Sequence, residues 1–137
     1  LVSPIALLDG NILLYPREGQ YETYQMEEEV QMLAGNYVLS KSGNIYRIAS
    51  EEPDWDENIV RSVYSGEDII VIAVDQNSGL CIGLTNRGDV LCVEHNSVRA
   101  ESVKEKLSSW SDIVNIAVSD TKVCGVKANA ECIEIQY

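Results

Sequence analysis

One short phrase, two apolar strands around a turn that usually ends in glycine, recurs four times in this chain. It reads IALLDGNI from Ile5, YVLSKSGNI from Tyr37, IGLTNRGDV from Ile82 and CGVKANAEC from Cys124. The repetition constrains the fold strongly, because an array of hairpins must stack sideways to bury its faces. The turn glycines are Gly10, Gly43 and Gly88, with Ala130 in the fourth copy. After Asp9, Ser42 or Arg87, glycine supplies the left-handed backbone that a type I turn with a bulge requires. Alanine at position 130 predicts a modified turn.

A second phrase precedes the hairpins. SDIVNIAV from Ser111 matches EDIIVIAV from Glu67, and EEVQMLAG from Glu28 is a looser copy. These β-branched runs are too short for stable helices and read as inner, nearly fully buried strands. One unit then comprises this strand, the hairpin and an outer strand drawn from the connection that follows. The turn positions are irregularly spaced but stay within the range of about 20–50 residues typical of propellers and similar arrays. The expected fold is all-β, a partial or small β-propeller built from repeated antiparallel hairpin blades. It forms one repeat domain over 1–137, with units 1–27, 28–66, 67–110 and 111–137.

The connections PREGQYETYQMEE, SEEPDWDENIVRSVYSGE and EHNSVRAESVKEKLSSW are polar and carry most of the acidic residues. They hold Tyr21, Tyr24, Trp55 and Tyr64 where no period demands an aromatic ring. Within the third, Val103 and Leu107 stand four apart and Ser102 could cap, which predicts one or two helical turns.

Ten Lys plus Arg against 22 Asp plus Glu give a net charge of -12. A nucleic-acid backbone is repelled by such a surface, so no nucleic-acid partner is expected. No apolar run approaches the roughly 20 residues of a membrane helix, and no membrane partner is expected either. The sequence starts at Leu1 with strand and turn signals, and reads as processed or as part of something longer.

Four cysteines, Cys81, Cys92, Cys124 and Cys132, lie in or beside the last two hairpins, without a CxxC pair. That spacing is wrong for structural zinc, and no metal or cofactor is expected. Cys81 and Cys92 face each other if the turn has two central residues, and lie on opposite faces if Gly88 forms a bulge. Reduced, core-packing thiols favour a reducing compartment such as the cytoplasm.

No catalytic constellation emerges. His95 is the sole histidine and lacks a nucleophile motif. The glycines have no phosphate-cradle spacing. The pairs Glu51–Glu52 and Asp54–Asp56 read as a solvated acidic loop, with glycoside hydrolysis as the enzymatic alternative.

The order of WSDIVNIAV, an apolar strand and GVKANAE resembles the repeat of the regulator-of-chromosome-condensation family. GLTNRGDV from Gly83 is the nearest match, and YPREGQY from Tyr15 is similar to that family's glycine-glutamine phrase. The resemblance covers nearly the whole chain. It departs in the short first interval, the absent double glycine, and the lack of a glycine-glutamine pair after Gly88 or Ala130. It implies a propeller that recognises partners through loops on one face. Such rings usually have about seven blades, within the propeller range of about 4–8, whereas this chain holds three to four units. Either it is a fragment, or another chain completes the ring, or four short blades close by themselves.

The functional expectation is a non-enzymatic protein-interaction or scaffolding module, a segment of a larger protein. The alternative is a self-associating segment that completes a propeller with another chain. Tyr21, Tyr24, Asp54, Trp55 and Asp56 are the candidate contact residues, because tyrosine and tryptophan concentrate in binding hot spots. For Trp55 the favoured reading is that it covers the core from a loop, with partner anchoring as the alternative, and Trp110, placed before Asp112 and Ile113, is expected to pack between blades.

Overall fold

The computed structural model describes residues 5–48, 59–95, 98–119 and 121–137. Among them are thirteen strands and one helix, arranged as four separate antiparallel sheets, and none of these sheets is closed. The protein is all-β apart from that helix. The chain divides into two compact units, Leu1–Glu67 and Asp68–Tyr137.

The first unit contains β1 (Ala6–Asp9), β2 (Ile12–Arg17) and β3 (Gln20–Gln25), paired in that order. It also contains the four-stranded sheet β4 (Val30–Ala34), β5 (Tyr37–Ser40), β6 (Ile45–Ile48) and β7 (Val60–Tyr64). Leu13, Tyr15, Met26, Val30, Val38, Ile48 and Ile59 form its core, drawn from both sheets. Alternation places Leu13 and Tyr15 on one face of β2, which is why both are buried.

In the second unit, β8 (Ile69–Asp75), β9 (Leu80–Thr85) and β10 (Val90–Glu94) form one sheet. A second sheet consists of β11 (Ile113–Val118), β12 (Lys122–Lys127) and β13 (Cys132–Gln136). The helix, α1 (Val98–Leu107), follows β10. Val103 and Leu107, four apart and fully buried, join Leu80, Ile82, Leu84, Ile116 and Val123 in one core. The helix thus runs longer than one or two turns, and Ser102 lies in its interior rather than at its cap. Trp110 is half-buried against this core. A Cβ added to Gly125 would lie 2.7 Å from its ring.

Three hairpins share one turn. In β5–β6, Ser40 N–H donates to the Asn44 carbonyl (2.9 Å) and Gly43 N–H to the Ser40 carbonyl (3.0 Å). Thr85, Asp89 and Gly88 repeat this in β9–β10, as do Lys127, Glu131 and Ala130 in β12–β13. The third turn residue is left-handed in each, at φ 92° for Gly43, 87° for Gly88 and 71° for Ala130. The fourth hairpin is therefore unmodified, and Ala130 bears the strain that glycine avoids elsewhere.

The first hairpin is the exception. Asp9 pairs with Ile12 around Gly10 and Asn11, and Gly10 is not left-handed. A two-residue turn leaves no bulge position for it to fill. The left-handed pair of that sheet is Glu18 (φ 50°) and Gly19 (φ 79°), which join β2 to β3.

The strands preceding the hairpins are edge strands, not nearly fully buried ones. Each shifts register after its first residue, at Val30/Met32, Ile69/Val71 and Ile113/Asn115. The extra residue breaks the alternation, which leaves Ile70 and Val114 about half exposed. In β9–β10 the turn takes the bulged form, with Cys92 opposite Ile82 and Glu94 opposite Cys81, so the two cysteines do not face each other. All four thiols are free.

Backbone links tie neighbouring sheets within each unit. Val30 N–H donates to the Gly10 carbonyl (3.0 Å), and Ile113 N–H donates to the Gly88 carbonyl (3.0 Å). The first residue of a strand is thereby held on the turn of the hairpin before it. A Cβ on Gly88 would lie 3.2 Å from Asp112 Cα and N and from Ile113 N, a tight approach that adds to the preference for glycine set by its left-handed φ.

Candidate interaction surface

Every residue of β3 is exposed, and among the described residues the strand pairs on one side only, with β2. Its polar sequence, QYETYQ, becomes a strand because the left-handed Glu18–Gly19 turn folds it back and Arg17 pairs with Gln20. In this register Tyr24 lies opposite Leu13, Glu22 opposite Tyr15, and Tyr21 opposite Pro16. Residues three apart in a strand point to opposite faces. Tyr24 therefore stands on the face of Leu13 and Tyr15, whereas Tyr21, 55% exposed, stands on the other.

Glu22 anchors the strand. Tyr15 Oη donates to Glu22 Oε2 (3.0 Å), and Arg17 Nη1 lies 3.5 Å from the same oxygen. Burial, then the Glu22 carboxylate, pushes the Tyr15 phenol above its usual value. The candidate residues Asp54, Trp55 and Asp56 lie outside the described residues. The structure places Tyr21 and Tyr24 on one exposed strand but does not bring them together on one face.

The opposite edge of this sheet carries a feature that the sequence reading missed. All four residues of β1 are exposed, including Leu7 at 43% and Leu8 at 62%. The apolar phrase IALLDG had pointed to burial.

Two carboxylates elsewhere are held ionised by hydrogen bonds. Glu28, just before β4, accepts from the Ser42 and Tyr46 hydroxyls and from Asn44 Nδ2, at 3.2 Å to Oε1. The Ser42 and Tyr46 hydroxyls hold its carboxyl below the usual range, with lesser help from Asn44 and Ser40, against the opposing effect of burial. Burial and Glu28 push the Tyr46 phenol up to about 12. Asp75, at the end of β8, accepts from Asn77 N–H (3.2 Å), Ser78 Oγ (2.8 Å) and Tyr137 Oη (3.0 Å). Burial works against its ionised form, but these donors together leave its carboxyl below the usual range.

Both carboxylates have their oxygens engaged by donors of the adjoining turns and so brace those turns. His95 Nε2 lies 2.7 Å from Glu101 Oε2 at the entry to α1. Among the described residues, no cluster of three histidine, cysteine or acidic side chains could hold a metal ion, and no helix is long and apolar enough to cross a membrane. No family model, curated protein or solved structure matches the chain.

Proposed function

We propose that the chain is a non-catalytic protein-interaction or scaffolding module of the β-propeller type, recognising its partner with exposed strand surface rather than a catalytic cleft. The observation that carries this reading is β3, a strand exposed along its whole length and bearing Tyr21 and Tyr24 on its two faces. Tyrosine offers large contact area with few rotors to freeze, and an edge strand offers its backbone to an incoming chain. The repeated hairpins and the ordered phrases shared with the regulator-of-chromosome-condensation family support the architecture. The charge of -12 favours a protein partner over a nucleic acid.

The test is affinity capture with the purified chain. Partners recovered by the wild type are re-measured against Tyr21→Ala, Tyr24→Ala and the pair. Loss of binding by at least one variant, with the far-ultraviolet circular dichroism unchanged, is the expected result. Undiminished binding of every partner to the double variant overturns the assignment of the surface to β3.

A further inference from the structure

The turn glycines differ in what holds them. Gly43 and Gly88 are left-handed, and Gly88 also lies against the backbone of the next strand. Gly10 has neither constraint: its φ is not left-handed, and a Cβ added there would meet nothing within 4 Å. What glycine does at this position is leave its own amide bare, and the residue before it is an aspartate. No other Asp–Gly pair occurs in the sequence.

Asp9 and Gly10 are both exposed. Gly10 N–H is turned onto the side chain before it and donates to Asp9 Oδ1 (2.7 Å). Asp9 Cγ, one bond behind that oxygen, is thereby held close to the separation of about 3–3.5 Å at which bond formation begins. The register shift between Leu7 and Asp9 also interrupts the ladder just before this pair. The other described aspartates are placed differently. Asp68, Asp89 and Asp112 precede Ile69, Val90 and Ile113, all buried and all branched at Cβ, and the Ile113 N–H is committed to the Gly88 carbonyl. Asp75 has its carboxylate engaged by Ser78 and Tyr137.

We propose that Asp9–Gly10 is a modification site, at which the chain isomerises spontaneously to the iso-aspartyl form. The Gly10 nitrogen bonds to Asp9 Cγ, and its proton leaves with the hydroxyl of the protonated carboxyl as one water, closing a succinimide. A second water reopens the ring. Cleavage at Cγ restores aspartate, whereas cleavage at the former backbone carbonyl leaves the chain running through Cβ and Cγ, with the α-carboxylate as the new side group. The two waters balance, and nothing is oxidised or reduced. The iso-aspartyl backbone has one extra methylene between β1 and its turn. Asp9 then no longer pairs with Ile12 across two residues, and the Gly10 carbonyl is drawn off the Val30 N–H that it accepts at 3.0 Å. The modification thus loosens β1 and the start of β4 together. It needs no partner and involves neither Tyr21 nor Tyr24.

The probe is a protein-isoaspartate methyltransferase with radiolabelled S-adenosylmethionine, applied to the full chain after increasing times in warm buffer below the unfolding transition. Fragmentation of the labelled peptide locates the methyl group. The expected result is label that grows with time at Asp9, no more slowly than in the free peptide LLDGNIL. It should grow at least about tenfold more slowly in Gly10→Ala, and be absent from that position in Asp9→Ser. Both variants suit the fold, because the space around Gly10 is open and a serine hydroxyl can still accept the Gly10 N–H; circular dichroism matching wild type checks this. Hydrogen exchange at Val30 should quicken in the aged chain in step with the label. No label at Asp9, equal labelling of Gly10→Ala, or a folded chain slower than the peptide overturns the site. Label at Asp9 with unchanged exchange at Val30 overturns the loosening of β4.

Discussion

The turns of β5–β6 and β9–β10 have the same backbone hydrogen bonds but are held in place by different means. Around Gly43 the bracing is done by side chains. Glu28 reaches across to Ser42, Asn44 and Tyr46, whereas the Ser40 hydroxyl that accepts the Asn44 N–H (3.1 Å) has its counterpart in the other turn, where Thr85 accepts the Asp89 N–H (3.1 Å). Around Gly88, the backbone of Asp112 and Ile113 presses directly on the turn. Arg87 reaches Asp68 (2.8 Å) from the outer side. One backbone loop can thus be secured by a carboxylate that collects the turn's own side chains or by close backbone packing with an ion pair outside it, and the two should fail under different perturbations.

The sharpest way to break the comparison is Gly88→Ala. The left-handed φ costs about 1–2 kcal/mol for a residue with a Cβ. The methyl group also meets backbone that cannot rotate aside, bringing the expected loss to about 2–4 kcal/mol in the transition of the second unit. A denaturant midpoint close to wild type would show that the close approach is not required.

Next in size is Glu28→Ala, which leaves Asn44, a buried residue, without its carboxylate partner. A loss of about 1–3 kcal/mol is expected in the first unit, because a buried polar group without its partner carries its desolvation cost. Hydrogen exchange should locate the damage at β5–β6 and leave β9–β10 unaffected. Damage spread equally over both hairpins would contradict the separate bracing.

The pH dependence should differ in the same way. The Glu28 carboxyl is depressed in the folded state, so its contribution is present above its unfolded value of about 4.3 and is lost as pH falls below that. Tyr46 is raised to about 12. Its contribution is present below about pH 10, the unfolded value, and is lost as pH rises from there towards 12. Stability of Glu28→Gln should therefore fall less steeply than wild type below about pH 4, and that of Tyr46→Phe less steeply above about pH 10. Denaturation curves parallel to wild type at both extremes would remove Glu28 and Tyr46 as the brace.

The smallest effect expected is a gain. Ala130 occupies the position of Gly43 and Gly88 with φ 71°, so Ala130→Gly should stabilise the second unit by about 0.5–1 kcal/mol, relief of strain less the added freedom of the unfolded chain. A loss instead would mean that the third turn is tuned differently from the other two.

The parts of the fold that were legible obey local rules. The hairpin phrases announce themselves through turn chemistry, and the spacing of Val103 and Leu107 places them on one buried helical stripe. What was hidden depends on pairing between distant residues. β3 has no apolar alternation and exists because a turn and a partner strand impose it. Ile70 and Val114 look like core residues until the register shift turns them outward. Glu28 is one of three consecutive glutamates, and nothing local marks it as the one that meets Tyr46. Of the candidate contact residues, the aromatic content of β3 could be read, but not the division of Tyr21 and Tyr24 between two faces, which follows from strand parity once the segment is known to be extended.

The link from Ile113 N–H to the Gly88 carbonyl makes that one amide a reporter on a neighbouring element. Its exchange with solvent deuterium requires the β9–β10 turn to move away, so its protection measures opening of the preceding hairpin rather than of its own strand. Val30, held on Gly10, has the same relation to the first hairpin. Each unit thus carries a backbone position whose exchange rate reports whether two successive sheets open together or one at a time.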